Sequence, residues 1–171
     1  MRKILLFGAA CLLATSVVFA QTEACGPEDF KGRVEATKDQ GLRAVDKSKA
    51  TLVFIEDQLV ARPGAAMCIH CDVPVLLAMD GRWIAGTQGF AHTIVTIEPG
   101  EHHFCSKVFL GGKYLPSMFE MKLESGMTYY LVARLSIAIA SKSDILELYQ
   151  PNIDQGRYLA SVTKETSLVQ K

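Results

Sequence analysis

The chain has 171 residues, 49% of them hydrophobic, with 18 Lys and Arg against 18 Asp and Glu. That length is enough for one domain with a real core. No basic patch or Arg-rich helix stands out, which argues against nucleic acid as a partner.

The N-terminus reads MRKILLFGAACLLATSVVFAQ. Arg2 and Lys3 precede an apolar run from Ile4 to Val18, and Val18-Phe19-Ala20 offers a cut site. Residues 1–20 are therefore expected to be a secretory signal peptide cleaved near Ala20. The run is slightly short for a membrane span. Gly8 occupies the place where a lipidation signal at Cys11 would want leucine. Nothing after residue 20 is apolar for long enough to span a membrane. Removing Arg2 and Lys3 leaves 16 Lys and Arg against 18 Asp and Glu, a net charge of −2. The expected location is the periplasm or the extracellular space.

Residues 21–50 are polar and charged and read as an extended or loosely ordered lead-in. From residue 51 the texture changes. TLVFIED is β-branched and aromatic and has strand length. Pro63-Gly64 and Pro74 bound an irregular stretch. VLLAMDGRWIAG is a hairpin around Asp80-Gly81. FAHTIVTIEPGEHHFCSKVF reads as a second hairpin around Pro99-Gly100. Gly111-Gly112 reads as a flexible loop. SMFEMKLESGMTYYLVARLSIAIA repeats the hairpin idea around Ser125-Gly126, and DILELYQ is a last strand. In FEMKLE, Phe119, Met121 and Leu123 alternate with Glu120, Lys122 and Glu124, so one face is buried and one wet. The expected fold is all-β: an antiparallel β-sandwich of about seven strands over residues 51–160. A short helix is expected after Pro151, and residues 161–171 as a fraying tail.

The order KATLVFIED, LLAMDGRWIAGTQGFAHTIVTIEPGEHHF, LESGMTYYLVARL resembles the exported bacterial domains of the domain-of-unknown-function 2846 group. It is also similar to PEGA-type surface modules, which share the rhythm of Asp-Gly and Pro-Gly turns. The resemblance covers about residues 24–160. It implies a β-sandwich and export, and it carries over no catalytic residue.

Cysteine chemistry follows from export. Without Cys11, four cysteines remain, Cys25, Cys68, Cys71 and Cys105, and an even count in an oxidising compartment points to disulfides. Of the three connectivities, Cys25–Cys105 with Cys68–Cys71 is favoured. The chain-entropy relation gives the long closure about 4.5 kcal/mol and the short one about 2. The long bridge would also pin the polar lead-in to the sandwich. The crossed pairings stay open.

The segment Cys68-Ile69-His70-Cys71 invites three other readings. Haem attachment needs histidine directly after the second cysteine, where Asp72 stands. A redox dithiol needs a following helix, and a zinc knuckle needs a second ligand pair. A metal or thiol-redox site built from Cys68, His70 and Cys71, with His92 and His103, is the alternative to a plain staple. If Glu98 faced Glu101, His92, His103 and Cys105 would share one face of a hairpin.

Aromatics mostly fill sandwich cores. Trp83, just past a turn, and Tyr130, which must face opposite to Tyr129, are the candidate binding surface. No catalytic dyad or triad is visible and no cofactor is expected. The sequence reads as a non-enzymatic envelope module with a binding or structural role, its partner an envelope protein or a glycan.

Overall fold

The computed structural model describes residues 25–27, 30–37, 46–59, 73–136 and 145–170. These form β1 (Gly32–Ala36), β2 (Ala50–Leu59), β3 (Val75–Met79), β4 (Arg82–Thr87), β5 (Ala91–Ile97), β6 (Gly100–Leu110), β7 (Lys113–Leu123), β8 (Thr128–Ser136), β9 (Ile145–Tyr149), α1 (Ile153–Val162) and β10 (Lys164–Gln170). The signal-like segment and the Cys68–Cys71 segment lie outside the described residues.

Two sheets face each other. The large one has the order β1-β10-β5-β2-β8-β9 and the small one β4-β3-β6-β7. Side chains alternate between the faces of a strand, and this divides the apolar residues into layers. Leu52, Phe54, Leu131 and Leu148 from the large sheet meet Leu77, Phe104, Val108 and Leu123 from the small one in the central core. Val53, Ile55, Tyr130 and Val132 face the other way and form a second cluster, against which Leu159 and Ala160 of α1 pack. The central strand β2 is thus buried on both faces over Leu52–Ile55, which is why that stretch is continuously apolar rather than alternating. α1 begins where the Asn152 side chain accepts a hydrogen bond from the Gln155 backbone N–H at 2.8 Å, satisfying one of the orphan donors of the first turn.

The all-β, two-sheet architecture matches the sequence expectation, with four differences. First, pairing is mixed: β2 and β8 run parallel from Thr51↔Thr128 to Leu59↔Ser136, and β10 runs parallel to β5. A parallel pair needs a long crossover, and the small sheet supplies it between β2 and β8. Second, Pro99-Gly100 and Ser125-Gly126 do not close hairpins. β5 and β8 belong to the large sheet, while β6 and β7 belong to the small one, so both turns carry the chain across the sandwich. Third, Gly111-Gly112 is not a loose loop. It closes the β6–β7 hairpin between Leu110 and Lys113, with φ of 58° and 81°, the positive values that a tight two-residue turn requires. Fourth, strand extends beyond residues 51–160. The expected lead-in contains β1 and the expected tail contains β10, and these two pair antiparallel. The described strands therefore number ten rather than about seven.

No helix among the described residues is long and apolar enough to cross a membrane.

A candidate binding groove

Among the described residues before β1, Cys25, Pro27 and Phe30 form a strap over the outward side of the small sheet. Along β6, Phe104, Val108 and Leu110 belong to the core, so Cys105, Lys107 and Phe109 point outward. Cys105 is bonded to Cys25, with the Cα atoms 4.8 Å apart. The bond holds the start of the strap on the sheet. Trp83 secures the next residues: its indole N–H donates to the Pro27 carbonyl at 3.0 Å. Phe30 packs on the same indole, with centroids 5.7 Å apart and planes tilted by 58°. Pinned at two places, the strap continues into β1 and joins β10.

Between the strap and the sheet runs a groove of about 230 Å³. Its floor is Leu76, Lys107, Phe109 and Tyr114, and its strap side includes Pro27, Phe30, Arg33 and Val34. Phe109 and Tyr114 face each other across the Gly-Gly hairpin, their centroids 4.9 Å apart. They remain 52% and 49% exposed. Adjacent aromatic rings left half in water form a contiguous apolar patch, the kind of surface feature that suits an interaction site. The Lys107 ammonium sits 4.4 Å from the centre of the Tyr114 ring, close enough for a cation–π contact. Arg33 also lines the groove and pairs with Glu35. Among the described residues its lining holds the two cations Arg33 and Lys107. The described part of the groove is an apolar trough with these two side chains at its rim.

Sequence reasoning placed Trp83 on a binding surface. Trp83 does line this groove, but it is only 7% exposed and supports the strap from beneath. Tyr130 is not a surface residue: it is 7% exposed and lies under α1, touching the position of Gly156. The opposition of Tyr129 and Tyr130 is real, but both sides of β8 are covered. The accessible rings of this groove are Phe109 and Tyr114. The signal for them was their position on either side of Leu110-Gly111-Gly112-Lys113, which pairs them if the glycines are a tight turn.

The proposed His92, His103 and Cys105 constellation is not assembled. His92 lies on the large sheet and His103 on the small one, and Cys105 is in the disulfide. The expectation assumed that β5 and β6 pair, and they do not. Cys68, His70 and Cys71 lie outside the described residues, as does a Cys68–Cys71 bond. Among the described residues no group of three or more His, Cys, Asp or Glu is placed to hold a metal ion.

The polar clusters have structural partners. Asp80, in the β3–β4 turn, accepts from the His102 ring at 2.7 Å and from the His103 backbone N–H at 3.0 Å, and its own N–H donates to the His103 carbonyl at 2.9 Å. The turn is thereby docked on β6. Arg134 donates to Asp57 at 2.8 Å and to the Tyr149 hydroxyl at 2.6 Å, tying β2, β8 and β9 together. His92 sits 2.9 Å from the Thr163 hydroxyl at the end of α1.

Two of these groups make stability depend on pH. Burial holds the His92 ring below its ordinary value, only partly offset by Thr163. The unfolded chain then binds the proton more readily, so stability is lost as pH falls through about 6.5, the ordinary histidine value. For Asp80, burial would raise the carboxyl, but hydrogen bonds from His102 and His103 outweigh it and hold it below the ordinary carboxylate value. Its contribution is present above about pH 4 and is lost as pH falls further. Urea titrations across pH should show both declines. His92→Gln should flatten the first and Asp80→Asn the second; unchanged profiles would contradict the two assignments.

No protein-family model matches the chain, and no curated protein or solved structure matches it either.

Proposed function

We propose that the protein is an exported, non-enzymatic β-sandwich module of the cell envelope, and that it acts by binding a partner in the groove beneath its N-terminal strap. The observation that carries this reading is the half-exposed Phe109–Tyr114 pair beside Lys107, on a face that the strap partly roofs. The signal-like residues 1–20 and the resemblance to exported domains of the 2846 group support the location. The non-enzymatic part is supported by the polar clusters: the Asp80–His102 and Arg134–Asp57–Tyr149 contacts each join neighbouring strands or turns.

The rigid placement of the groove suits recognition. A strap fixed by a covalent bond does not have to be ordered when the partner arrives, which lowers the entropic cost of binding. Exposed aromatic rings are frequent energetic anchors of such surfaces.

The test compares the wild-type protein with the Phe109→Ser/Tyr114→Ser variant, both immobilised and exposed to envelope protein and cell-wall glycan fractions. Both side chains are exposed, so the variant should keep its circular dichroism and melting temperature within a few degrees. Its retention of the partner should fall by at least about tenfold, the loss expected when aromatic anchors are truncated. Equal retention by the two proteins would remove the groove from the account.

A further inference from the structure

Each sheet ends in two outer strands, and among the described residues three of these four ends are engaged. On β9 the Leu148 backbone N–H donates to the Ser117 hydroxyl of β7 at 3.0 Å. β7 also carries Pro116, which has no N–H to offer. On β4 the Gly86 carbonyl accepts from the hydroxyls of Thr93 and Thr166, in the large sheet, at 2.7 and 3.2 Å. The fourth end is β1. β10 pairs with one of its edges, and among the described residues no strand pairs with the other.

The ladder fixes which backbone groups reach that open edge. Thr37 donates its N–H to the Glu165 carbonyl at 3.0 Å, continuing the register in which Glu35 faces Ser167 and Arg33 faces Val169. Hydrogen-bonded positions alternate along an antiparallel pair. Arg33, Glu35 and Thr37 therefore turn their backbone groups to β10, while Gly32, Val34 and Ala36 turn theirs to the open edge. Side chains alternate as well. Val34 packs toward Gly86 of β4, so Arg33 and Glu35 lie together on the other face. There they pair with each other, and their side chains remain 67% and 42% exposed.

A strand that docks on its own copy must be complementary to itself about a two-fold axis. With the axis at Val34, Val34 faces the partner's Val34, and Gly32 faces the partner's Ala36. Every outward-turned residue then meets another outward-turned residue. Arg33 falls opposite the partner's Glu35, and Glu35 opposite the partner's Arg33. These are non-hydrogen-bonded positions, where facing Cα atoms are only about 4.5 Å apart and side chains come closest. Backbone parity and charge order thus select the same axis. Edges that resist pairing commonly carry lysine or proline. Gly32–Ala36 has neither, and its one positive and one negative residue match their own reverse.

We propose that the protein forms a two-fold symmetric dimer by antiparallel pairing of β1 with β1 of a second copy, centred on Val34. The two large sheets, six strands each, join into one continuous sheet. The backbone groups of Gly32, Val34 and Ala36 and two Arg33–Glu35 pairs hold the seam. So short a seam belongs to the weak, transient class of interface. The pairing uses the edge of the large sheet and does not depend on what the groove binds.

Sedimentation velocity on the exported protein, from about 10 μM to about 1 mM, reads the association. The wild type is expected to move from monomer toward dimer across that range. Arg33→Glu and Glu35→Arg each set like charges opposite each other at both ends of the seam. Each should weaken self-association by at least about tenfold. Mixed in equal amounts, the two variants should recover association to within about threefold of wild type. The two negative side chains of one then face the two positive side chains of the other. Inside each chain the like-charged neighbours remain, so recovery reports pairing between chains. Ala36→Pro removes an outward N–H and leaves the bonds to β10 in place. It should keep the circular dichroism of the wild type and abolish the dimer.

A wild type that stays monomeric at the highest concentration would overturn the proposal. So would a dimer that persists in both charge variants, or a mixture that associates no better than its components. Loss of envelope retention on Ala36→Pro, in a protein that never dimerises, would give the edge to a foreign strand instead.

Discussion

Replacing Cys25 and Cys105 together by alanine is expected to lower the unfolding free energy by about 4.5 kcal/mol. The bond closes a chain segment with a sequence separation of 80 residues, so the unfolded chain gains much freedom when it is lost. A typical domain has only about 5–15 kcal/mol in hand, so a loss of this size removes roughly a third or more of it. Alanine is the right replacement because Cys105 is fully buried, and serine would add the cost of an unsatisfied hydroxyl. The loss should also have a local signature. Without the bond, the strap is held mainly by the hydrogen bond from Trp83 to Pro27 and the packing of Phe30. Trp83 should then emit at longer wavelength in the folded variant. Urea titration followed by tryptophan fluorescence reads both effects. A loss below about 1 kcal/mol with unchanged emission would mean that the strap stays in place unaided, since a closure of this length is expected to contribute several times that.

Gly156→Ala is the second large effect, and its sign is contested by two physical terms. In an exposed helix the change would stabilise by about 1 kcal/mol, because alanine loses less backbone entropy. Gly156, however, is the buried residue of α1. A Cβ there would lie 2.6 Å from the Tyr130 Cβ and closer still to Cγ of the ring. No rotation of the ring clears atoms so near the Tyr130 backbone, so the helix must lift from the sheet. That strains or uncovers the layer of Val53, Ile55, Tyr130 and Val132. Overpacking of this kind costs about 1–3 kcal/mol or somewhat more. The net expectation is a loss of about 1–2 kcal/mol after the propensity gain is subtracted. Thermal unfolding of the variant decides between the terms: a raised melting temperature would show that α1 does not rest on Tyr130.

These two positions also mark what the sequence could and could not reveal. The layers were legible wherever side chains alternate, as in Phe119, Met121 and Leu123 against their charged neighbours. The β3–β4 hairpin was legible because Asp80-Gly81 permits few other conformations, and φ at both residues is positive. Pairing between distant strands was not legible. Turn residues such as Pro99-Gly100 and Ser125-Gly126 state that the chain reverses, but not whether it returns to the same sheet or crosses to the other. The histidine cluster failed for that reason. β1 and β10 were missed because each is short and lies in a polar context, and each becomes a strand mainly by pairing with the other. The groove is a product of such long-range contacts. It needs Cys25 of the strap, Trp83 of β4 and Phe109 of β6 together, and no local pattern announces it.

The central claim is that recognition occurs beneath the strap, and the most direct measurement is the footprint of a captured envelope partner on isotope-labelled protein by NMR. The account expects the largest shifts at Leu76, the Trp83 indole N–H, Lys107, Phe109 and Tyr114, with β1 amides following. The opposite side of the molecule offers a clear contrast, since Ile153, Tyr158 and Val162 of α1 are also exposed apolar residues. Shifts concentrated on α1, with the strap and the small sheet unchanged, would contradict it.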